Sequence, residues 1–131
     1  METTYNNFQL TSIYTRGKKA NWGGTTENRN SHKITVKNTD TKKSISFNYW
    51  ESIVTIEVKT EEQLISAFRS FLSDVQAGAL GFEEFCSEFG YNSDSRNAGE
   101  IWEECKKASD KAEKIGISQE MLYDMLDSID N

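Results

Sequence analysis

"SIVTIEVKTEEQLISAFRSFLSDVQAG", residues 52–78, changes its hydrophobic period halfway along. Residues 52–58 are rich in β-branched side chains, which predicts a strand that buries part of Ile53, Ile56 and Val58. From residue 60 the spacing becomes helical, because Leu64, Phe68, Phe71, Leu72 and Val75 fall on one stripe of a helix of about five turns. The join is marked by a capping box. The Thr60 hydroxyl can accept from the backbone N–H of Gln63, and the Gln63 side chain can reach back to the N–H of Thr60. Gly78 is the expected stop. This one stretch predicts an α+β chain, β-rich over residues 8–58 and helical over residues 60–129.

Working back from it, "KSISFNYW" and "HKITVKN" flank the turn "TDTKK" as the arms of an antiparallel hairpin. Ile34 and Val36 share a face opposite Lys33, Thr35 and Lys37, and Ile45, Phe47 and Tyr49 oppose Ser44, Ser46 and Asn48. Residues 8–14 alternate as a further strand, and the polar stretch 17–30, with Gly23 and Gly24 in its middle, is expected to be a long loop. Working forward, Phe82, Phe85, Cys86 and Phe89 form a short apolar stripe that ends at Gly90, with Tyr91 folding back onto Phe85 or Cys86. Asp94 or Ser95 caps a third helix whose face is Ala98, Ile101, Trp102, Cys105 and Ala112. Ser118 opens a fourth with Met121, Leu122, Met125, Leu126 and Ile129 as its stripe. A small antiparallel sheet packed against three or four helices follows, as two layers of a single domain spanning residues 1–131.

With 131 residues the chain is long enough to bury a core without disulfides or metal. Cys86 and Cys105 lie on apolar faces, as expected of thiols in a reducing compartment. No apolar run reaches the length needed to span a bilayer, so no membrane partner is expected. Charge is unevenly placed: residues 1–59 carry +4 and residues 60–131 carry −10, within an overall −6. A basic first part suits nucleic acid or an acidic protein, and an acidic second part suits a basic partner surface.

Catalytic and cofactor chemistry find little support. His32 is the only histidine, so a metal set would have to combine it with Cys86 and Cys105, and neither cysteine has the close neighbour that zinc sites use. The simpler expectation is an exposed histidine at a strand end and two core thiols. No nucleophile elbow accompanies the histidine, and "RGKKANWGG" lacks the glycine spacing of a phosphate-cradling loop. A non-enzyme with no cofactor and no metal is expected.

Two surfaces remain as candidate sites. A basic one consists of Arg16, Lys18, Lys19 and Trp22 on the expected loop with Lys33, Lys37, Lys42 and Lys43 on the hairpin, a set able to clasp a nucleic-acid backbone and stack a base. Such lysines also keep strand edges soluble. An acidic one consists of Glu83, Glu84, Glu88, Glu100, Glu103 and Glu104, placed opposite the apolar stripes of the second and third helices. Closely spaced carboxylates can occupy a groove built for phosphates, whereas pairs such as Glu103 with Lys107 serve only a solvated helix.

The stretch "FEEFCSEFGYNSDSRNAGEIWEECKK", residues 82–107, resembles a phrase of small accessory proteins encoded by phages and prophages of low-GC Gram-positive bacteria, F-x-x-F-C-x-x-F-G-Y-x-x-D-S-R-x-A followed by a helix with Ile, an aromatic and Cys. "KITVKNTDTKKSISFNYWESI", residues 33–53, resembles their β-hairpin half. Gly99 departs locally and suggests close packing. Proteins of similar size and acidity that lack catalytic motifs include the anti-CRISPR proteins. The resemblance therefore implies an inhibitor in the cytoplasm of a bacterial host that binds a defence nucleoprotein, a CRISPR–Cas effector of the Cas9-like kind, and blocks its nucleic-acid site with the acidic face. Trp102 or Tyr91 would anchor it if exposed. Two rival expectations stand beside it: a nucleic-acid-binding accessory protein using the basic surface, and a non-enzymatic oligomeric assembly protein using the stripe from Met121 to Ile129.

Overall fold

The structure is a computed structural model that describes residues 1–22, 25–50 and 58–129, with side chains described outside residues 15–30 and 50. It is α+β. Strands β1 (Glu2–Tyr5), β2 (Phe8–Trp22), β3 (Thr25–Asn38) and β4 (Ser44–Trp50) precede helices α1 (Glu61–Gly78), α2 (Phe82–Phe89), α3 (Arg96–Lys114) and α4 (Gln119–Ile129). The chain divides into two compact units, Met1–Phe68 and Arg69–Asn131.

In the first unit the strands form an antiparallel meander in the order β1-β2-β3-β4. Asn6 turns β1 into β2 at φ 52°, a left-handed conformation that asparagine tolerates, so that Tyr5 pairs with Phe8. The β3–β4 turn is organised by Asn38. Its side-chain oxygen accepts from the N–H of Asp40 at 2.9 Å, the N–H of Thr41 at 3.4 Å and Nδ2 of Asn7 at 3.2 Å, while Lys42 closes the turn at φ 66°. The Thr39 N–H donates to the Asn7 carbonyl at 2.8 Å, so the two turns are stitched together. Phe8, Leu10, Ile34, Val36 and Ile45 are buried. Phe68 of α1 meets Phe8 and Tyr5 at ring separations of 5.9 and 6.4 Å.

The structure corrects two expectations here. The described residues of 17–30 do not form a loop: β2 runs on to Trp22, β3 starts at Thr25, and Trp22 pairs with Thr25. A polar ribbon shows no core-facing alternation, so its strands escape a hydrophobicity reading. His32 is not an exposed strand-end residue but 3% accessible. It shares the buried face of β3 with Ile34 and Val36, its ring lies 5.0 Å from Tyr14, and its Nε2 accepts from the Val58 N–H at 3.4 Å. The strand expected over residues 52–58 falls, but for Val58, outside the described residues.

The capping box at the start of α1 is made in full, with the Gln63 N–H donating to Thr60 Oγ1 at 3.2 Å and the Thr60 N–H to Gln63 Oε1 at 3.1 Å. Leu64, Phe68, Phe71, Leu72 and Val75 are buried as the stripe predicts. In the second unit Ala77, Phe85, Cys86, Ala98 and Cys105 form a core cluster, with Leu80, Phe82, Ile101 and Trp102 packed on it. Gly78 serves that packing. A methyl placed there would lie 2.0 Å from the Cys105 carbonyl oxygen, so only a glycine lets α1 and α3 come this close. Gly99, by contrast, faces open space and marks no close contact. Both cysteines are buried free thiols. Burial, aided by Asp74 and Glu104, pushes Cys105 up to about 11, and burial with nearby Glu83 raises Cys86.

Candidate functional site

The α2–α3 corner is set by local signals. Gly90 takes φ 73°, the Tyr91 N–H donates to the Cys86 carbonyl at 2.9 Å, and the Tyr91 ring stacks on Phe85 at 5.4 Å with 13° between planes. The Asp94 N–H donates to Asn92 Oδ1 at 3.0 Å, and Ser95 caps α3 by accepting from the Ala98 N–H at 3.4 Å. Phe82 meets Trp102 edge-on at 5.5 Å, and the Trp102 indole N–H donates to the Leu80 carbonyl at 3.0 Å. With these inward contacts made, Glu83, Glu84, Glu88, Glu100, Glu103 and Glu104 all face solvent.

Their grouping is finer than one continuous face. Glu100, Glu103 and Glu104 border a groove of about 510 Å³ whose other walls are Phe82, Trp102, Gly99 and Arg96. Glu88 borders a different groove, and Glu83 and Glu84 line neither. Arg96 Nε lies 3.3 Å from Glu100 Oε1 and Lys107 Nζ lies 3.1 Å from Glu104 Oε1, both exposed pairs of the kind that contribute little to stability. Lys107 therefore pairs with Glu104 rather than with Glu103. Lys106 Nζ sits 5.0 Å from the centre of the Trp102 ring. Of the two expected anchors, Trp102 is half-buried and tied by its hydrogen bond, while Tyr91 is exposed.

Phe89 does not join the core. It is 54% exposed, although its ring lies 5.1 Å from that of Phe85 on the same stripe. The α4 stripe proposed for assembly behaves in the opposite way. Leu122, Met125 and Leu126 are buried, so the stripe is not a free face.

On the basic side, Arg16, Lys18, Lys19 and Trp22 lie along β2 rather than on a loop, and the register sets Lys18 opposite Arg29. Lys33 and Lys37 lie on β3, Lys33 exposed and Lys37 half-buried, and Lys42 and Lys43 are exposed at the β3–β4 turn. Among the described residues no group of His, Cys, Asp and Glu has the arrangement of a metal site, and no helix is long and apolar enough to cross a membrane. Sequence reasoning missed the groove bordered by Glu88. Its rim residues Phe89, Glu113 and Tyr123 come from three helices, and no local pattern joins them. Comparison of the chain with known protein families, with curated proteins and with solved structures finds no match.

Proposed function

We propose that this chain is a non-enzymatic binding protein that presents its acidic α2–α3 corner to a basic protein surface. Its class is that of phage-encoded, anti-CRISPR-type inhibitors, and its partner is a nucleic-acid site on a defence effector of the Cas9-like kind. The observation that carries the reading is the convergence of Glu100, Glu103 and Glu104 on one groove with an aromatic wall. Carboxylates at helical spacing beside an aromatic surface offer the charge of a phosphate track together with apolar area, and both are needed for a stable protein interface. Arg96 and Lys107 are exposed and exchange readily for a partner's arginines. The test is competition: the chain should displace guide RNA or target DNA from a purified Cas9-like nuclease, and Glu100→Lys, Glu103→Lys and Glu104→Lys together should abolish displacement. Unchanged displacement by the triple variant would reject this surface.

The second reading, direct nucleic-acid binding, is favoured by the β2–β3 ribbon, on which residues 15–30 carry four Lys/Arg against one Glu. A two-stranded ribbon fits the major groove of DNA. Affinity for short duplexes that falls steeply between two salt concentrations supports it, and no binding at low salt removes it.

A further inference from the structure

Phe89 and Tyr123, 54% and 46% exposed, stand at the rim of a groove of about 630 Å³ in the second unit, built by the ends of α1, α2 and α3 with the start of α4. Its floor includes Leu80, Ile117 and Leu122, and its size lies within the range of sites that enclose ligand groups. Two carboxylates, Glu88 and Glu113, complete the rim. Neither is in an ion pair with a described residue, and no lysine or arginine is among the residues that line the groove. The N-terminus of α4, where Ser118 and Gln119 line the groove, supplies opposite polarity. Its orphan N–H groups are partly met by Ser118, which accepts from Met121 at 3.2 Å, and its first turn adds Glu120.

We propose that this groove is a binding site for a segment of a partner protein that presents an apolar side chain flanked by arginine or lysine. An apolar floor rewards the side chain for leaving water, the two carboxylates meet the flanking charges, and the exposed aromatic rings offer cation–π attraction. An acidic segment meets repulsion from both carboxylates, and a purely apolar one leaves them partly desolvated without partners. The site deepens the proposed function, resting on it only for the expectation of a basic partner. It shares none of Glu100, Glu103 and Glu104.

The test uses the full chain and fluorescein-labelled short peptides read by anisotropy. A peptide of alternating leucine and arginine should bind. Counterparts with glutamate for arginine, or glycine for leucine, should not. The variant Phe89→Ala/Glu113→Lys/Tyr123→Ala should weaken binding by about tenfold or more, as loss of aromatic and charged anchors does. Reversal of Glu100, Glu103 and Glu104 should change it by less than about threefold, as expected for exposed charges outside the contact. All three groove substitutions are at exposed positions, and Glu113→Lys alone decides the matter if the triple variant does not fold. Equal binding of the glycine peptide, or full binding by the groove variants, overturns the proposal. Loss of binding on the α3 reversal with the groove variant intact would reject the groove and leave the acidic-corner reading standing.

Discussion

Alanine in place of Gly78 should destabilise the protein although alanine is the better helix former. The added Cβ would lie 2.0 Å from the Cys105 carbonyl oxygen, 2.3 Å from its carbon and 2.7 Å from the Lys106 nitrogen. All three are backbone atoms of α3, which cannot swing aside as the tip of a side chain can. Restoring the 3.4 Å at which ordinary contact begins requires α1 and α3 to part, opening a core cluster packed around Ala77 and Cys105. Overpacking of this kind costs about 3 kcal/mol, and the helix propensity of alanine returns only about 1 kcal/mol. A net loss of about 2 kcal/mol or more is expected. Gly99 provides the matched control, since a methyl there meets nothing within 4 Å and should simply gain about 1 kcal/mol of propensity. Urea unfolding followed by far-ultraviolet circular dichroism reads both as opposite shifts of the midpoint at constant slope. A midpoint for Gly78→Ala equal to or above that of the unsubstituted protein would refute the close crossing of α1 and α3.

The remaining predictions concern the turns and one carboxyl group. Asn38→Ala should cost about 2–3 kcal/mol in the same assay, because it leaves the N–H groups of Asp40 and Thr41 without their acceptor in a part-buried turn. Lys42→Gly should stabilise by about 1 kcal/mol, since the residue at φ 66° then bears no left-handed penalty. Burial raises Asp74 to about 6 from 3.8, so the folded chain holds this proton more tightly than the unfolded one. Its contribution to stability is complete below about pH 4 and is lost as pH rises through about 6. Its side chain is exposed, so solvent screening leaves only a fraction of the effect that full burial would give. Asp74→Asn should flatten that part of the profile, and an unchanged slope between pH 4 and 7 would count against it.

Where one face of an element was dry and the other wet, period alone made the fold legible. The α1 stripe and its capping box, the alternation of Ile34 and Val36, and the return of Tyr91 onto Phe85 are all local consequences of spacing. The same alternation, extended by one step, would have placed His32 on the buried face. β1 is four residues long and the outer part of the β2–β3 ribbon is polar, so neither carries a periodic signal; only Asn6-Asn7 hints at the turn from β1 into β2. At the candidate site, the outward direction of the six glutamates followed from the helical stripes. Which of them share a groove did not, because that depends on how α2 and α3 meet through Phe82 and Trp102, a contact twenty residues apart in sequence.

Trp102 has a spectroscopic consequence. Its indole is hydrogen-bonded to a carbonyl, overlaid by the Lys106 ammonium, and set in the wall of the groove that Glu100, Glu103 and Glu104 border. The chain has three tryptophans, and the other two, Trp22 and Trp50, belong to strands of the first unit. Phenylalanine at those two positions would leave a single tryptophan, at the acidic corner, which excitation at the red edge of the aromatic band separates from the five tyrosines. Arrival of a guanidinium or displacement of Lys106 would then register as a change in emission, and the corner would report its own occupancy without any attached dye.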